Sequence, residues 1–456
     1  MFCLPRAAQP LLSSFSVAFT RPTFQRFSLL ILGAILALRQ RTITAMLRPV
    51  APLVHGHWSD FHRVLCCRVW STWSLGKVLA ALVLELIPQD QPVICPVDDT
   101  TPQHKGKHVY GKGCHHDACR STHNHVVWVW GHKWVVLAIN VKFAFASRPW
   151  ALPVLCALYR PEELNRSEGR RHKTPIELAM QLAAVLIHWF PRRKFVLVGD
   201  GGYASHELAQ FCHCHQRHVT LVSRLHPQAN LYDAPNPRRW KKGGRPRLKG
   251  RKLSAPSEVA KSSKPRRYTV NWYGGKTREV ELIWGQGLWY KSGDGLVPIR
   301  WVFVHDVQGT HRDQYLYSTD PTMPPDTIVS LFTGRWSIEV MFEEVRAHLG
   351  LATTRNHCAR SVLRMVPCLL GLFSVVSLVF AGQTRRRTIK PRCSPWYAKK
   401  ELSFSDAISW TRRLCWSEVL KQSPMHAGML KLPKRLRLTL LEQLTRKLHR
   451  FLLLAL

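Results

Sequence analysis

Carboxylates are scarce in this chain. Its 456 residues include 28 Asp and Glu against 66 Lys and Arg, a formal net charge of +38. A field of that sign disfavours basic partners and attracts polyanions, which leaves nucleic acid or an anionic membrane surface. Long hydrophobic runs are missing too. "SLLILGAILAL" (28–38) is too short to cross ~30 Å of hydrocarbon and has no convincing signal-peptide cleavage site before "RQR". "VPCLLGLFSVVSLVF" (366–380) is interrupted by Pro367 and two serines and falls short of the ~18–20 apolar residues a span needs. Both read as buried core helices, so a membrane is not expected. The 13 cysteines have no regular spacing, which points to a reducing cytoplasm rather than a disulfide framework. "GCHHDACRSTHNH" (113–125) and "FCHCHQRH" (211–218) lack the C-x2-C and H-x3-5-H pairing of a structural zinc site.

The apolar fraction of 46% is ample for packed interiors, and the length calls for two or three domains. Where acids are rare, a carboxylate on the border of an apolar element is informative. "GRWSIEVMFEEVRAHLG" (334–350) reads as a helix with Ile338, Met341, Phe342, Val345 and Leu349 on its core face. Arg335, Glu339 and Arg346 fall within about 40° of one another along the border of that face. On this stretch alone, ion pairing on a solvated surface is the commoner account of such charges.

Other acids end apolar runs. "QPVICPVDDTT" (91–101) is strand-like, and alternation places Asp99 on the face of Val97 and Asp98 on the opposite one. "RKFVLVGDGGYAS" (193–205) is a buried-strand run that ends in Asp200 and two glycines, with a helix expected from about Ser205 to Cys214. A carboxylate at the C-terminal end of a strand is a usual place for a site residue in an α/β sheet, and also for a capping aspartate. Asp99, Asp200 and Glu339 together would suffice to hold two divalent cations about 3.5–4 Å apart. That arrangement deprotonates a nucleophile and neutralises a leaving oxygen in phosphodiester chemistry.

At this point the sequence resembles bacterial insertion-sequence transposases of the DDE type, in the group whose glutamate lies in a Tyr-x2-Arg-x3-Glu-x6-Lys signature. The matching residues are Phe332, Arg335, Glu339 and Arg346, and "VDDTTP" and "LVGDGGYAS" resemble the two aspartate motifs. "HKTPIELA" (172–179), "RPWALPVLCALYRP" (148–161) and "RWVFVHDVQGTHRDQYLYSTDP" (300–321) extend the resemblance over most of the chain. Of the two neighbouring aspartates it implies Asp99, which immediately precedes the threonine. It implies Asp99, Asp200 and Glu339 as catalytic ligands of two Mg2+ ions, with Mn2+ able to substitute, and Arg335 and Arg346 as contacts to DNA phosphates. Phe332 stands where the signature has tyrosine, and Arg346 where it has lysine; the second change keeps the charge but replaces an ammonium with a planar fork.

The implied fold class is α/β: an RNase H-like mixed-sheet core with a β-rich insertion domain and helical N- and C-terminal regions. The divisions are residues 1–90, helical and a candidate for end recognition; 91–223, the first part of the core; 224–317, a β-rich basic insertion; 318–381, the core with the glutamate helix; and 382–456, a basic helical region. Within the insertion, residues 236–267 hold thirteen basic residues and one acidic one, and Gly and Pro there suggest a flexible polycation for phosphate backbones. Trp284 and Trp289 are candidates for base stacking, with burial as strand aromatics the plainer alternative. The implied function is metal-dependent cleavage at insertion-sequence ends and strand transfer into target DNA. The implied partners are terminal inverted repeats, target DNA and a second copy in a synaptic dimer, in a bacterial, nucleoid-associated cytoplasm. A DNA-binding protein without catalysis and an RNase H-fold nuclease are the alternatives.

Overall fold

A computed structural model of the chain describes residues 8–117, 120–122, 124–235, 247–393, 395–421, 433 and 436. Five helices come first: α1 (Gln9–Ser13), α2 (Arg21–Leu36), α3 (Ile43–Leu47), α4 (Trp58–Cys66) and α5 (Thr72–Leu84). Those expected from Thr23, from residue 59 and from residue 73 begin within two residues of these starts. Caps set them: the Ser71 hydroxyl accepts from Trp73 N–H at the head of α5, and Thr42 does the same for Ala45 in α3.

Next come β1 (Val93–Thr100), β2 (Gly113–His116), β3 (Trp128–Gly131), β4 (Lys133–Val141), β5 (Trp150–Tyr159), α6 (Glu162–Ser167), α7 (Pro175–Trp189), β6 (Phe195–Gly199), α8 (His206–Cys214) and β7 (Val219–Arg224). The rest of the chain supplies β8 (Leu231–Tyr232), α9 (Pro256–Ser262), β9 (Arg266–Asn271), β10 (Thr277–Lys291), β11 (Gly295–Asp306), β12 (Gln314–Ser318), α10 (Pro325–Gly334), α11 (Ser337–Leu349), α12 (Ala359–Thr384) and α13 (Phe404–Lys421). Ten strands form one mixed sheet in the order β5-β4-β1-β6-β7-β12-β11-β10-β8, with β9 on β10; β2 and β3 form a separate hairpin. β1, β6 and β7 run parallel, and β4 and β5 are antiparallel additions.

All five residues of β6 are buried, as a central parallel strand requires. Alternation along β1 then sends its side chains to two different cores. Val93, Cys95 and Val97 join the larger one with α8 and Tyr203, whereas Ile94 packs with Val196, Val198 and the Ile328, Val329 and Phe332 face of α10. The strands of residues 224–317 do not form a sheet of their own. They continue the central one, because β12 pairs both with β7 and with β11. The polycation is more regular than its Gly and Pro content suggested: Pro256–Ser262 is helical, with Glu258 accepting from Ala255 N–H, and β9 starts at Arg266. Its stretch 236–246 lies outside the described residues, as does nearly all of the chain after 421, where the C-terminal basic helix was expected.

α12 holds the second apolar run. Among the described residues it alone is long and apolar enough to cross a membrane, yet most of it is buried inside the fold. Its polar groups are satisfied there: Ser374 donates to the Pro153 carbonyl at 2.8 Å and Ser377 to Phe373. The first apolar run likewise becomes α2, buried from Leu30 through much of its C-terminal half.

Candidate active site

β6 ends beside Val97, three residues before β1 does. Their parallel register pairs Val97 with Gly199, so one residue further on Asp98 and Asp200 come to adjacent positions on the same face of the sheet. Gly199 is required there, since a Cβ on it would lie 2.6 Å from the Tyr203 Cβ. Asp200 turns the chain: its Oδ1 accepts from Gly202 N–H at 2.9 Å, and its carbonyl accepts from the Ser223 hydroxyl at 2.9 Å. Ser205 then caps α8, where the expected helix begins.

The glutamate helix arrives on the same face. Ile338, Met341, Phe342, Val345 and Leu349 are all buried, as the periodicity predicted. The run is not one helix, however. α10 ends at Gly334 and α11 begins at Ser337, with Arg335 and Trp336 between them. Asn140 on β4 clamps this joint, donating to the Gly334 carbonyl at 3.3 Å and accepting from the Ser337 hydroxyl at 2.8 Å. Gly350, with φ of 63°, closes α11 in the left-handed conformation that glycine adopts without strain.

Arg335 links the two elements. One of its nitrogens donates to Asp98 Oδ2 at 2.9 Å and the other to Glu339 Oε1 at 2.8 Å. Its side chain is only 9% exposed, against 16% for Asp98 and 44% for Glu339. Burial works against the Arg335 charge, but Asp98, Glu339 and Asp200 outweigh it and raise its pKa. Burial pushes Asp98 up to about 7; Arg335 opposes that shift, while Asp200 and Asp99 add to it. Carboxylates held this way are ones that a divalent cation would favour in their charged form.

Asp99 sits differently. Its side chain leaves β1 on the opposite face, where Lys133 at the start of β4 pairs with it at 3.1 Å. Burial raises its pKa against the pull of Lys133, and Asp200 adds to the rise. The structure thus brings Asp98, Asp200, Arg335 and Glu339 to one face and gives Asp99 a lysine partner of its own. Tyr203 is buried, its pKa raised by that burial and by the charges of all three aspartates, and its hydroxyl has no hydrogen-bond partner among the described residues. Among the described residues no group of three or more His, Cys, Asp or Glu is gathered closely enough to hold an ion. The donor set is nevertheless all carboxylate oxygen, the ligand chemistry of Mg2+ or Mn2+.

Arg346 is exposed and donates to the Thr100 hydroxyl at 2.5 Å, which puts its fork beside the end of β1. Phe332 is buried, with the Arg224 and Arg335 guanidiniums 5.6 and 5.8 Å from its ring. A tyrosine does stand nearby, from a segment that the signature gave no reason to inspect. Tyr273 is half-buried, its pKa raised by burial and by Glu339 and lowered by Arg335, Arg224 and a hydrogen bond with Gln314. Only the fold of β9 against α10 brings it there. Trp284 and Trp289 are both half-buried. Trp289 packs against His206 and Tyr317 at 5.0 and 5.3 Å, and Trp284 against Tyr268 at 5.8 Å.

Residues 14–279 match the family described as DDE superfamily endonuclease. The chain belongs to that family. The match takes in Asp98, Asp99 and Asp200 and stops before Glu339, so the glutamate rests on the geometry above. No curated protein matches the chain. A solved synaptic complex of piggyBac transposase with hairpin DNA aligns with 98% of this chain and 83% of that one, at 11% identity and a TM-score of 0.41, a likeness too slight to carry an argument.

Proposed function

We propose that this DDE endonuclease is a DNA transposase with an RNase H-like core, cutting DNA at the ends of a mobile element and joining the freed 3′ hydroxyl to target DNA. The observation that carries the reading is the convergence of Asp98, Asp200 and the Arg335-bound Glu339 at one end of the parallel strands, in a chain of charge +38. Asp98 takes the place expected of Asp99, because it shares a face with Asp200 and with α11, whereas Asp99 is held by Lys133.

Asp98, Asp200 and Glu339 would hold the Mg2+ ions, Mn2+ substituting. Bound there, the pair would lower the pKa of the attacking water or 3′ hydroxyl and neutralise the leaving oxygen. Arg335 holds Glu339 against Asp98 and sets the spacing of the two carboxylates. Arg346, exposed at the end of β1, takes a phosphate oxygen of the bound strand, and Tyr273 offers a hydroxyl near Arg335 where Phe332 has none. Acting on two element ends requires two copies, so a synaptic dimer belongs to the proposal, as do the terminal repeats and a bacterial cytoplasm.

A second reading has an observation behind it. Arg335 already occupies Asp98 and Glu339, and no three-ligand group stands preassembled among the described residues, as a DNA-binding protein without catalysis could have it. The deciding experiment is cleavage of a labelled duplex carrying the element's own end, in Mg2+ and in Mn2+, by the native protein and by Asp200→Ala. Cutting that disappears in the variant while binding persists supports the transposase. Binding by both without cutting by either supports the second reading.

A further inference from the structure

The β2–β3 hairpin, which the functional reading leaves unused, carries two exposed tryptophans. Trp128 and Trp130 are 62% and 59% exposed. They lie two residues apart on one face of β3, with Val129 buried between them on the other. Their cross-strand neighbours are His116 and Cys114, also exposed. Two bare tryptophans on a hairpin would ordinarily invite aggregation, so their exposure calls for a partner.

Chemistry narrows the partner. Lys105, Lys107 and Lys112 line the same open groove as the two rings, and the Lys112 ammonium lies 5.3 Å from the Trp130 ring centre. Among the described residues the one glutamate lining the groove, Glu168, is taken by Arg160 and Arg170. Flat π faces among lysines fit an unpaired nucleobase with its phosphates, because stacking needs an aromatic platform and the backbone needs cations.

Position narrows it further. The hairpin prolongs the β1–β4 ladder beyond the carboxylates: Gln103 bridges to Gly131, His104 N–H donates to the Trp130 carbonyl at 3.0 Å, and His132 N–H donates to that of Pro102 at 3.1 Å. Gly131 allows this approach, since a Cβ there would lie 2.3 Å from the Pro102 oxygen. Trp130 is three residues from Lys133, the partner of Asp99. At ~3.3 Å per extended residue Trp130 and Trp128 lie at most roughly 10 and 17 Å along the chain from that lysine, which itself faces Asp99.

We propose that Trp128 and Trp130 form a stacking platform for unpaired DNA bases beside the cleavage site, with Lys105, Lys107 and Lys112 holding the strand's phosphates. The proposal rests on the reading of this site as one that acts on DNA, but its test does not need cleavage. Fluorescence anisotropy in EDTA compares a labelled single-stranded oligonucleotide with a blunt duplex of the same sequence, on the full-length native protein and on Trp128→Ala/Trp130→Ala. Expected is a loss of single-strand affinity of about tenfold or more with duplex affinity changed less than about threefold, and near-native binding by Trp128→Phe/Trp130→Phe. Equal losses for both DNAs, or none, would overturn it. So would a fall in the protein's oligomeric state by sedimentation with DNA binding unchanged, which would assign the hairpin to a protein contact. Absence of Mg2+-dependent cutting by the native protein would defeat the transposase reading and leave this binding result standing.

Discussion

Replacing Arg335 with alanine tests whether the carboxylates are held together by that guanidinium and are meant for a cation. The Asp98 arm is a buried ion pair at 2.9 Å, and removing one partner of such a pair costs about 3–5 kcal/mol. The lower end applies, since Asp98 lies at about 7 and can take up a proton once the arginine is gone. The Glu339 arm is nearly half exposed and adds at most about 0.5 kcal/mol. A total near 3 kcal/mol corresponds to a melting temperature lowered by roughly 6–12 °C when the cooperative unit that holds the site is about 150–250 residues. The assay is thermal unfolding of native and Arg335→Ala protein, first in EDTA and then in Mg2+. A divalent ion drawn to Asp98, Asp200 and Glu339 replaces the missing charge, and at about 100 times its dissociation constant it returns about 2.7 kcal/mol. The variant should therefore be stabilised by Mg2+ more than the native protein is. A variant melting within about 2 °C of native in EDTA would refute the structural role. A full loss in EDTA that Mg2+ does not relieve would refute the convergence of these carboxylates on a cation.

Four further outcomes follow from the same geometry. Asp98→Asn should reduce Mg2+-dependent cleavage by more than about a hundredfold, whereas Asp99→Asn, which frees Lys133 on the opposite face, should reduce it by less than about tenfold; a reversed order in a side-by-side rate measurement would restore Asp99 as the ligand. Arg346→Ala should weaken DNA binding and lower the slope of log K against log salt by about 1, read from a salt titration. Tyr273→Phe should slow cleavage about three- to tenfold while lowering the melting temperature by no more than about 2–4 °C, the cost of its hydrogen bond with Gln314, and an unchanged rate would remove its hydroxyl from the site. Asp306 tests the fold alone. Burial opposes its charge, but hydrogen bonds from Thr310, Gln308 and His311 and the charge of Arg278 hold its pKa at about 2. Its folded value lies below the ordinary one, so it contributes stability above pH ~4 that is lost as the pH falls toward ~2. Asp306→Asn should flatten the melting temperature across that window.

Periodicity made the α11 face legible, and strand-end carboxylates could be read directly from "VICPVDD" and "FVLVGDGG". Both signals are local: a helix face or a strand end is set by a dozen residues. What could not be read is set by pairing between distant strands. The choice between Asp98 and Asp99 depends on the register of β1 against β6, which fixes the face Asp98 shares with Asp200. The nearness of Tyr273 to Glu339 depends on β9 packing under α10, and the joint at Arg335 depends on Asn140 from β4. Trp284 and Trp289 lie half-buried on β10, an interior strand, while the short β2–β3 hairpin leaves Trp128 and Trp130 exposed, a difference that strand pairing sets.

The scarcity of acids and the way they are paired form one argument. In a chain with 66 basic residues, nearby cations are the default neighbour of any carboxylate, and an ordinary surface acid would be neutralised by a mobile lysine at little cost. Asp98 instead has a buried guanidinium partner, shared with Glu339 and reached across more than two hundred residues of sequence, while its other oxygen accepts from Asp99 N–H at 2.8 Å. Taking Asp98 out of water against one guanidinium that it shares with the half-exposed Glu339 leaves its charge only partly compensated at a low-dielectric strand end, which is unfavourable for stability by itself. Such an arrangement is sustained when a further cation completes it, and Asp200, brought to the same face by the β1–β6 register, adds the third charge. Repulsion among these groups and attraction to a divalent ion are two sides of the same electrostatics, so the strained carboxylate is where the ion should be sought.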